Sequence, residues 1–380
     1  MTLHHVSPPF ASQVWPQLSQ ALDSAQLSAA ARTFVTALSD REDLPERLAR
    51  MALAFRTKHE LRDAKLLARA ARLLTPTDYR IRALTEWVQR KEAPLWHFEI
   101  VHDQIRNEAY ARALNEYIRP GMIVFEVGTG TGLLAMLAAR AGAAHVYTCE
   151  RSAEIAAAAR DIIARNGLAD RITVIARDVF DLELGQDMPQ KADLFVAELL
   201  DNCLLGENVL AITEIARQRF LKPDAIMLPQ HIGLMAALIS GQGHHHRYRV
   251  ETVMDFDLTP FNRFTPPCLG AGAAGGEAEL LSEGVEVLGF DLDRDTPQEG
   301  THFIELCATG SGAAEAVMSW IHLDFGAGIV FENKPPQHSS WQPCLHILPR
   351  AVAVEPGKRL ALEVSHTRDR AFVMGRETTD

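Results

Sequence analysis

Two glutamates nine positions apart, Glu198 and Glu207, enclose the leucine-rich segment ELLDNCLLGE, which also contains Asp201. Carboxylates beside so much apolar surface are partly desolvated, and neighbouring like charges raise each other's pKa. Such a group of acids is stabilised when it binds a cation. The segment therefore predicts a site for a positively charged ligand, and we call residues 198–207 the glutamate loop.

A second chemical feature is the glycine-rich sequence FEVGTGTG, residues 125–132, which ends a predicted strand and begins a predicted helix. Gly128, Gly130 and Gly132 allow the backbone to approach a ligand where a Cβ would clash. Alone, this glycine loop is compatible with a dinucleotide site or with an ordinary tight turn.

Acidic residues beside the glycine loop narrow the choice of ligand. Glu150 ends the next predicted strand, where a carboxylate can accept both hydroxyls of a ribose. Glu126 lies inside the first strand, where nicotinamide-binding folds usually have an apolar residue. S-adenosylmethionine (SAM) carries positive charge and no phosphate, so it suits this site better. Asp178 and Val179, at the end of the predicted strand RITVIARD, are assigned to the same cofactor site.

Strand and helix patterns alternate between residues 115 and 225. The predicted strands are MIVFEVG, HVYTCE, RITVIARD and DLFVAELL, and the predicted helices are GLLAMLAARAGA, SAEIAAAARDIIARNG and NVLAITEIARQRF. This order predicts a parallel sheet with helices on both faces. Beyond Pro229, strand-like runs separated by turns predict a β-sandwich or barrel. We therefore expect three domains, covering residues 1–92, 93–228 and 229–380.

The first of these domains is predicted to be entirely helical. LSAAARTFVTAL, LPERLARMALAFRT and ELRDAKLLARAARLLT carry apolar residues at three- and four-residue spacing. The stretch DAKLLARAARLLTPTDYRIRAL is similar to part of a tetratricopeptide (TPR) repeat, and a plain helical bundle is an equally good interpretation. Either arrangement would serve as an interaction or dimerisation domain.

Composition excludes several classes of protein. The formal net charge of −11 argues against a nucleic-acid-binding protein, whose surface would be basic. The N-terminus has no signal-peptide pattern, and no apolar run is long enough to span a membrane. The five cysteines form no CxxC pair, which predicts neither a zinc site nor a disulfide framework, so no metal is assigned. These features together predict a cytoplasmic protein.

From Trp96 to the C-terminus, these motifs resemble the protein arginine methyltransferases. The glycine loop, the acid after the next strand and the two glutamates follow the family's order. The resemblance implies a Rossmann-like class I methyltransferase domain, a C-terminal β-barrel and SAM as cofactor. Asp201 between the glutamates resembles the monomethylating and symmetrically dimethylating branches of the family.

The segment WHFEIVHDQIRNEAY, residues 96–110, resembles the helix that family members fold over the cofactor. His97, Asp103, Arg106 and Tyr110 fall at its characteristic positions. The resemblance implies that Arg106 binds the cofactor carboxylate and that His97 lies near the cofactor. It implies that Asp103 holds the glutamate loop or the substrate guanidine, and Asp103 is also a candidate proton acceptor.

The segment HSSWQ, residues 338–342, is similar to the family's Thr-His-Trp loop at the substrate entrance. Trp341 is kept, whereas Ser340 stands where the family usually has His. The family's aromatic pairs before the cofactor helix are also missing. The resemblance further implies a homodimer. An arm around residues 244–270 is one candidate interface, and the N-terminal helices are another.

The resemblance identifies the cation at the glutamates as a guanidinium, and the predicted reaction is methyl transfer to one of its nitrogens. Glu198, Glu207 and Asp103 are the predicted catalytic residues. Arginine in a protein or peptide is one predicted substrate. The same chemistry on free arginine or another small guanidine is the alternative. The Ser340 departure slightly favours an unusual substrate. A non-catalytic adaptor with a relic methyltransferase fold is a third interpretation.

Overall fold

The protein is described here by a computed structural model, covering residues 28, 31, 33, 43–57, 61–75, 77–240, 247–270, 278–294 and 299–375. The chain forms two compact units, residues 1–95 and 96–380. The first boundary lies three residues beyond the predicted one, and the predicted second and third domains share one unit. The predicted helix LSAAARTFVTAL lies almost entirely outside the described residues.

The first unit contains three described helices, α1 Leu44–Thr57, α2 Leu61–Leu74 and α3 Tyr79–Glu92. Their shared core combines leucines with alanines, including the fully buried Leu48, Ala52, Leu67 and Ala71. Small side chains at a helix contact allow the backbones to approach closely, which explains the alternation of Leu and Ala in the sequence. The predicted helices are confirmed here, and the likeness to TPR repeats stays a prediction.

The second unit begins with α4 Trp96–His102 and α5 Gln104–Tyr117 and continues as an α/β domain. The strands of its sheet are β1 Ile123–Val127, β2 His145–Cys149, β3 Ile172–Ile175, β4 Ala192–Ala197 and β5 Leu221–Leu228. The helices between them are α6 Leu133–Arg140, α7 Ala153–Arg165 and α8 Val209–Ile215.

The sheet is entirely parallel, with the strand order β3–β2–β1–β4–β5. All residues of β1 are buried, as expected for a central strand covered by helices on both faces. The order reverses between β1 and β4, and ligands of open α/β sheets bind at the carboxyl ends of the strands beside such a point. Both the glycine loop and the glutamate loop begin at this position.

The predicted helix NVLAITEIARQRF is shorter than expected, because α8 ends at Ile215 and a wider π-helical turn, Ala216–Phe220, follows. Strand β5 was not predicted from the sequence. It contains Pro223, which removes one hydrogen-bond donor. The strand tolerates this loss because it lies at the edge of the sheet.

The rest of the second unit is the predicted β-domain. Its strands are β6 His231–Ser240, β7 Thr252–Val253, β8 Phe256–Asp257, β9 Leu269–Gly270, β10 Glu279–Leu280, β11 Val285–Asp291, β12 Gly300–Cys307, β13 Gly312–Asp324, β14 Val330–Glu332, β15 Cys344–Val354, β16 Arg359–His366 and β17 Ala371–Gly375. They form a seven-stranded sheet, a three-stranded sheet and a two-stranded ribbon. One hydrophobic core runs from the parallel sheet into this domain, so the two parts pack as one body.

Among the described helices, none combines the length and apolar character that a membrane crossing would need.

Candidate active site

The glycine loop bends directly after β1, with φ angles of +86° at Gly128, +52° at Gly130 and +81° at Gly132. L-residues rarely adopt such angles, which explains the glycines. The amides of Gly128 and Thr129 donate to the carbonyl of Cys149 at the end of β2. A Cβ on Gly128 would lie 3.0 Å from Leu199 Cδ2, so the loop lies directly against the glutamate loop.

Two glycine-to-alanine variants separate backbone strain from this close contact. For Gly130→Ala we expect a loss of about 1–2 kcal/mol in the free energy of unfolding, since no atom lies within 4 Å of the added methyl group. For Gly128→Ala we expect about 2–5 kcal/mol, because strain and the clash with Leu199 add. Urea unfolding curves measure both values. Equal losses in the two variants would show that the glycine loop does not press on Leu199.

Glu150 fixes the glycine loop from the end of β2. Its Oε2 accepts from Gly130 N at 3.2 Å, and its Oε1 accepts from Ser152 N at 2.9 Å. Each carboxylate oxygen has a second lone pair. Glu150 can therefore shape the loop and accept the ribose hydroxyls of a cofactor at the same time, and that second role stays a prediction.

Glu126 lies in the middle of β1 and is 1% exposed. Burial raises its pKa to about 8, although the hydroxyl of Thr148 on the neighbouring strand lowers it in part. Its Oε2 has no hydrogen-bond partner among the described residues. At neutral pH this buried acid keeps its proton, and a cationic cofactor such as SAM bound beside the glycine loop would favour its ionised form, so the residues present fit the predicted ligand.

Glu126 makes a testable contribution to the pH dependence of stability. Its ordinary pKa is 4.5, so between about pH 5 and 8 the folded protein keeps a proton that the unfolded chain has lost. The free energy of unfolding therefore falls as pH rises, by up to about 1.4 kcal/mol per pH unit. Glu126→Gln, measured without cofactor by urea unfolding at several pH values, should remove this contribution. If the free energy of unfolding changed with pH in the same way in both proteins, Glu126 would not be the group responsible.

Asp103 lies between α4 and α5 and is held by four hydrogen bonds. Its Oδ1 caps α5 by accepting from Arg106 N at 3.1 Å. Its Oδ2 accepts from Ser339 Oγ at 2.5 Å, Ser340 N at 2.8 Å and Ser340 Oγ at 2.9 Å. Burial acts to raise the pKa of Asp103, but these bonds outweigh it and lower the pKa.

The same hydrogen bonds bear on the roles predicted for Asp103. They hold its carboxylate in place, which gives it a positioning role, and its lowered pKa makes it a weaker proton acceptor than an ordinary carboxylate. Its predicted part in proton transfer stays a prediction. Asp103 joins the helix pair to residues 338–342 of the β-domain, which we call the serine–tryptophan loop.

Arg106 lies at the centre of the site, and its side chain is 3% exposed. Its Nη1 donates to Glu198 Oε2 at 2.5 Å, and its Nε and Nη2 donate to Asn107 Oδ1. The guanidinium also lies 6.0 Å from the ring centroids of Tyr110 and Trp341. Arg106 therefore contacts one of the glutamates predicted to bind substrate. Its predicted contact with the cofactor carboxylate stays a prediction.

Long-range hydrogen bonds fix the first half of the glutamate loop. Tyr110 OH donates to Ala197 O at 3.1 Å, just before the loop begins. Trp341 Nε1 donates to Leu200 O at 2.9 Å, and Gln342 N donates to Asn202 Oδ1 at 3.0 Å. Helix α5 and the serine–tryptophan loop thus position Glu198 from two sides.

The two glutamates differ in their surroundings. Burial raises the pKa of Glu198, and the nearby Arg106 lowers it only in part. Burial together with the charge of Glu198 raises the pKa of Glu207 to about 7. Within the described chain the Glu207 carboxylate has no hydrogen-bond partner, so it remains available to a ligand. Three other carboxyl groups, those of Glu198, Asp201 and Glu150, act to raise the pKa of Glu207, and Arg151 offsets them in part.

The structure gives local contacts for the other predicted site residues. Asp201 Oδ1 accepts from Cys203 N at 3.0 Å, and a Cβ on Gly206 would meet Asp201 Oδ2, so its side chain closes the turn of the glutamate loop. The ring of His97 stacks on Trp96 in α4, with centroids 3.8 Å apart. Asp178 caps a short 3-10 helix that begins with the buried Val179. Their predicted contacts with ligands stay predictions.

Two residues of the site were missed by the sequence analysis. Asn107 holds the guanidinium of Arg106, and Ser339 donates to Asp103. Both are direct neighbours of residues that the resemblance had singled out, so adjacency to Arg106 and Ser340 was the available signal. Their roles depend on contacts that no local pattern shows.

Comparisons with known sequences identify a methyltransferase signature. The family described as "Ribosomal protein L11 methyltransferase (PrmA)" matches residues 110–225. An arginine N(omega)-methyltransferase from Streptomyces achromogenes subsp. streptozoticus is 36% identical over 279 residues, covering 73% of this chain and 77% of the relative. Protein arginine N-methyltransferase 7 from Drosophila ananassae is 28% identical over 338 residues. That match covers 74% of this chain, which spans about half of the Drosophila protein, 49% of its length.

Solved structures share the fold. The Trypanosoma brucei PRMT1 enzyme–prozyme heterotetrameric complex with AdoHcy gives a TM-score of 0.64 at 24% identity, covering 70% of this chain and 86% of that one. Arabidopsis thaliana protein arginine methyltransferase 10 gives 0.61 at 22% identity, covering 72% and 88%. The combination of a Rossmann-like domain and a β-barrel domain is therefore confirmed.

Proposed function

The chain belongs to the protein arginine N-methyltransferase family and uses SAM as its methyl donor, and on this premise we propose that it adds a single methyl group to a guanidino nitrogen of arginine. The observation that carries this proposal is the pair of glutamates at the carboxyl edge of the sheet. Glu198 and Glu207 both have raised pKa values, and Arg106 provides an ion pair to Glu198 alone. A second guanidinium between them would complete the charge balance.

A guanidinium has a pKa above about 12, so no side chain removes its proton before the reaction. Glu198 and Glu207 instead accept its hydrogens in charge-assisted bonds and draw the positive charge towards one edge. The nitrogen at the opposite edge becomes richer in electrons. SAM, when bound, supplies an activated methyl group on a sulfonium whose leaving group is a neutral thioether.

During transfer the positive charge moves onto the guanidine, where the carboxylates are already in place. Placement of the nitrogen at attack distance contributes up to about 7–11 kcal/mol to lowering the barrier. The methylated guanidine must then lose a proton. Glu207, with a pKa of about 7 and no competing hydrogen bond in the described chain, is better suited to accept it than Asp103.

Asp201 supports the proposed restriction to one methyl group. Its charge contributes to the raised pKa of Glu207, and its side chain occupies the turn of the glutamate loop. The same turn would be wider with a smaller residue. Mass spectrometry of the products is expected to give monomethylarginine alone from the unmodified protein. Asymmetric dimethylarginine as the main product would contradict the proposal, and Asp201→Ser tests whether this residue sets the limit.

Free L-arginine is the substrate that the comparisons favour. The Streptomyces relative is named for arginine itself and is more similar than the Drosophila proteins, which are named for protein arginine. Incubation with labelled SAM and free L-arginine, an Arg-Gly-rich peptide or a cell lysate distinguishes the two classes. Methylation of free arginine is the expected result. Label only in the peptide or in lysate proteins would overturn this choice.

We also propose that the protein forms a homodimer through the arm at residues 247–270. Four large apolar side chains of this arm are more than half exposed, namely Met254, Phe256, Phe261 and Phe264. Exposed apolar residues so close together are typical of an interface. Light scattering after size exclusion should give twice the chain mass, and Phe256→Ser combined with Phe261→Ser should give the monomer. A monomeric unmodified protein would contradict the proposal.

A further inference from the structure

We propose that Cys203, Cys268, Cys344 and His346 bind one Zn²⁺, which fastens the glutamate loop to the β-domain. This inference does not depend on the proposed reaction. It revises the expectation that the chain has no metal site, which rested on the absence of CxxC spacing. The ligands come from three segments that meet only in the folded protein.

The three sulfur atoms lie together. Cys203 Sγ is 3.3 Å from Cys268 Sγ and 3.4 Å from Cys344 Sγ, and all three atoms lie within 4.8 Å of one another. Tetrahedral zinc with Zn–S bonds of about 2.3 Å places its sulfur ligands about 3.8 Å apart. Shifts of about half an ångström would bring the two Cys203 contacts to this spacing. All three cysteines are free thiols.

His346 is the candidate for the fourth ligand, because it lines the same cavity as Cys203 and Cys268, although its ring nitrogens are not among the atoms that lie within 4.8 Å of one another. It follows Cys344 by two positions on β15, so both side chains lie on the same face of the strand. The ring is 5% exposed, and its Nδ1 has no hydrogen-bond partner in the described part of the chain. The Pro267 carbonyl lies close to the ring, but no hydrogen bond joins it to Nδ1.

The other ring nitrogen of His346 is already fixed. Its Nε2 lies 2.9 Å from Ser319 Oγ. Metal-bound histidines usually hold their second nitrogen by such a bond, which sets the orientation of the ring. An unpaired nitrogen on an oriented, buried ring is a second observation, independent of the cysteines, that points to a missing ligand.

Access and charge are compatible with zinc. Cys203, Cys268 and His346 line a cavity of about 450 Å³, which provides a path for the ion. Binding would convert three thiols into thiolates and release three protons, while His346 binds as the neutral ring. The resulting Cys₃His set is a common structural zinc site with no position open to water.

The position of the cluster explains what the metal would do. Cys203 lies between the two glutamates, and its amide donates to Asp201. Cys344 Sγ lies 3.5 Å from Asn202 O, in the same loop. The hydrogen bonds described above fix the first half of the loop, and a metal at Cys203 would fix its middle. The pair of glutamates would then be held at a constant separation.

The test is the metal content of the full-length protein, prepared under reducing conditions without chelator. Plasma mass spectrometry is expected to find about one zinc per chain. Cys203→Ser, Cys268→Ser and Cys344→Ser should each lose it, and His346→Ala should bind it more weakly. Cys307→Ser is the matched control, because Cys307 is exposed on β12 and outside the cluster, and it should keep its zinc.

A second measurement uses the unmodified protein alone, so it does not depend on the folding of variants. Cobalt replacement should give the intense sulfur-to-cobalt absorption of a tetrahedral thiolate site. Absence of metal with three freely reactive thiols would overturn the proposal, as would a disulfide found by mass spectrometry or iron or copper in place of zinc. Methyl transfer by a zinc-free protein would leave the proposed function standing and overturn only the role of the metal.

Discussion

Replacing Glu207 by glutamine is expected to lower kcat for arginine by about 10²–10³-fold, the usual loss when one preorganised electrostatic group is removed from an active site. Glutamine keeps the shape of the side chain and removes the charge that stabilises the developing cation. The Glu207 carboxylate has no hydrogen-bond partner in the described chain, so the fold should be little affected. Steady-state kinetics gives kcat, and calorimetry with SAM should show a nearly unchanged Kd.

Glu198→Gln should lose turnover to a similar extent, but its effect on the cofactor is expected to be larger. The carboxylate of Glu198 holds Arg106 at 2.5 Å, whereas Glu207 has no such bond. Loss of the charge leaves a buried arginine without its counter-ion, and SAM binding should weaken in this variant alone. Full activity in both variants would remove the proposed mechanism.

The raised pKa of Glu207 predicts how the ratio kcat/KM depends on pH. In the free enzyme the carboxyl is protonated below about pH 7 and cannot bind a guanidinium by charge. The ratio kcat/KM should therefore fall about tenfold per pH unit below pH 7 and level off above it. In Glu207→Gln the ratio kcat/KM should not fall in this way below pH 7. If it falls as in the unmodified protein, another group is responsible for the pH dependence.

Arg106→Ala is expected to have the largest effect on stability. Breaking a buried ion pair by removing one partner costs about 3–5 kcal/mol, because the other charge is left without compensation. The Arg106 and Glu198 side chains are 3% and 11% exposed, so solvent compensates little. The free energy of unfolding from urea titration should fall by that amount, and SAM binding should become too weak for calorimetry.

Two further variants identify the cause of that loss. Arg106→Lys keeps the charge but not the planar fork that reaches both Glu198 and Asn107, so an intermediate effect is expected. Arg106→Ala combined with Glu198→Gln removes both charges and should be more stable than Arg106→Ala alone. A double variant less stable than Arg106→Ala would show that the ion pair is not the source of the effect.

The elements around the site could be predicted from the sequence because their signals are local. A period of two residues marks β16, in which buried positions alternate with more exposed ones, and the glycines at positive φ angles mark the turn after β1. Strand β5 was missed because its proline contradicts the pattern, and only its place at the edge of the sheet makes that proline acceptable.

By itself, the sequence determined which residues could do chemistry, namely the glycine loop, its flanking acids and the two glutamates, since residue type and short spacing carry that information. The tertiary structure alone decided how their charges are used. It paired Arg106 with Glu198, and it joined Asp103 to Ser339 across 236 positions, which gives Asp103 an anchoring role. It also brought Cys203 beside Cys344, 141 positions away. Hydrogen bonds and pKa values depend on distances in space, and the packing of two domains around one core sets those distances.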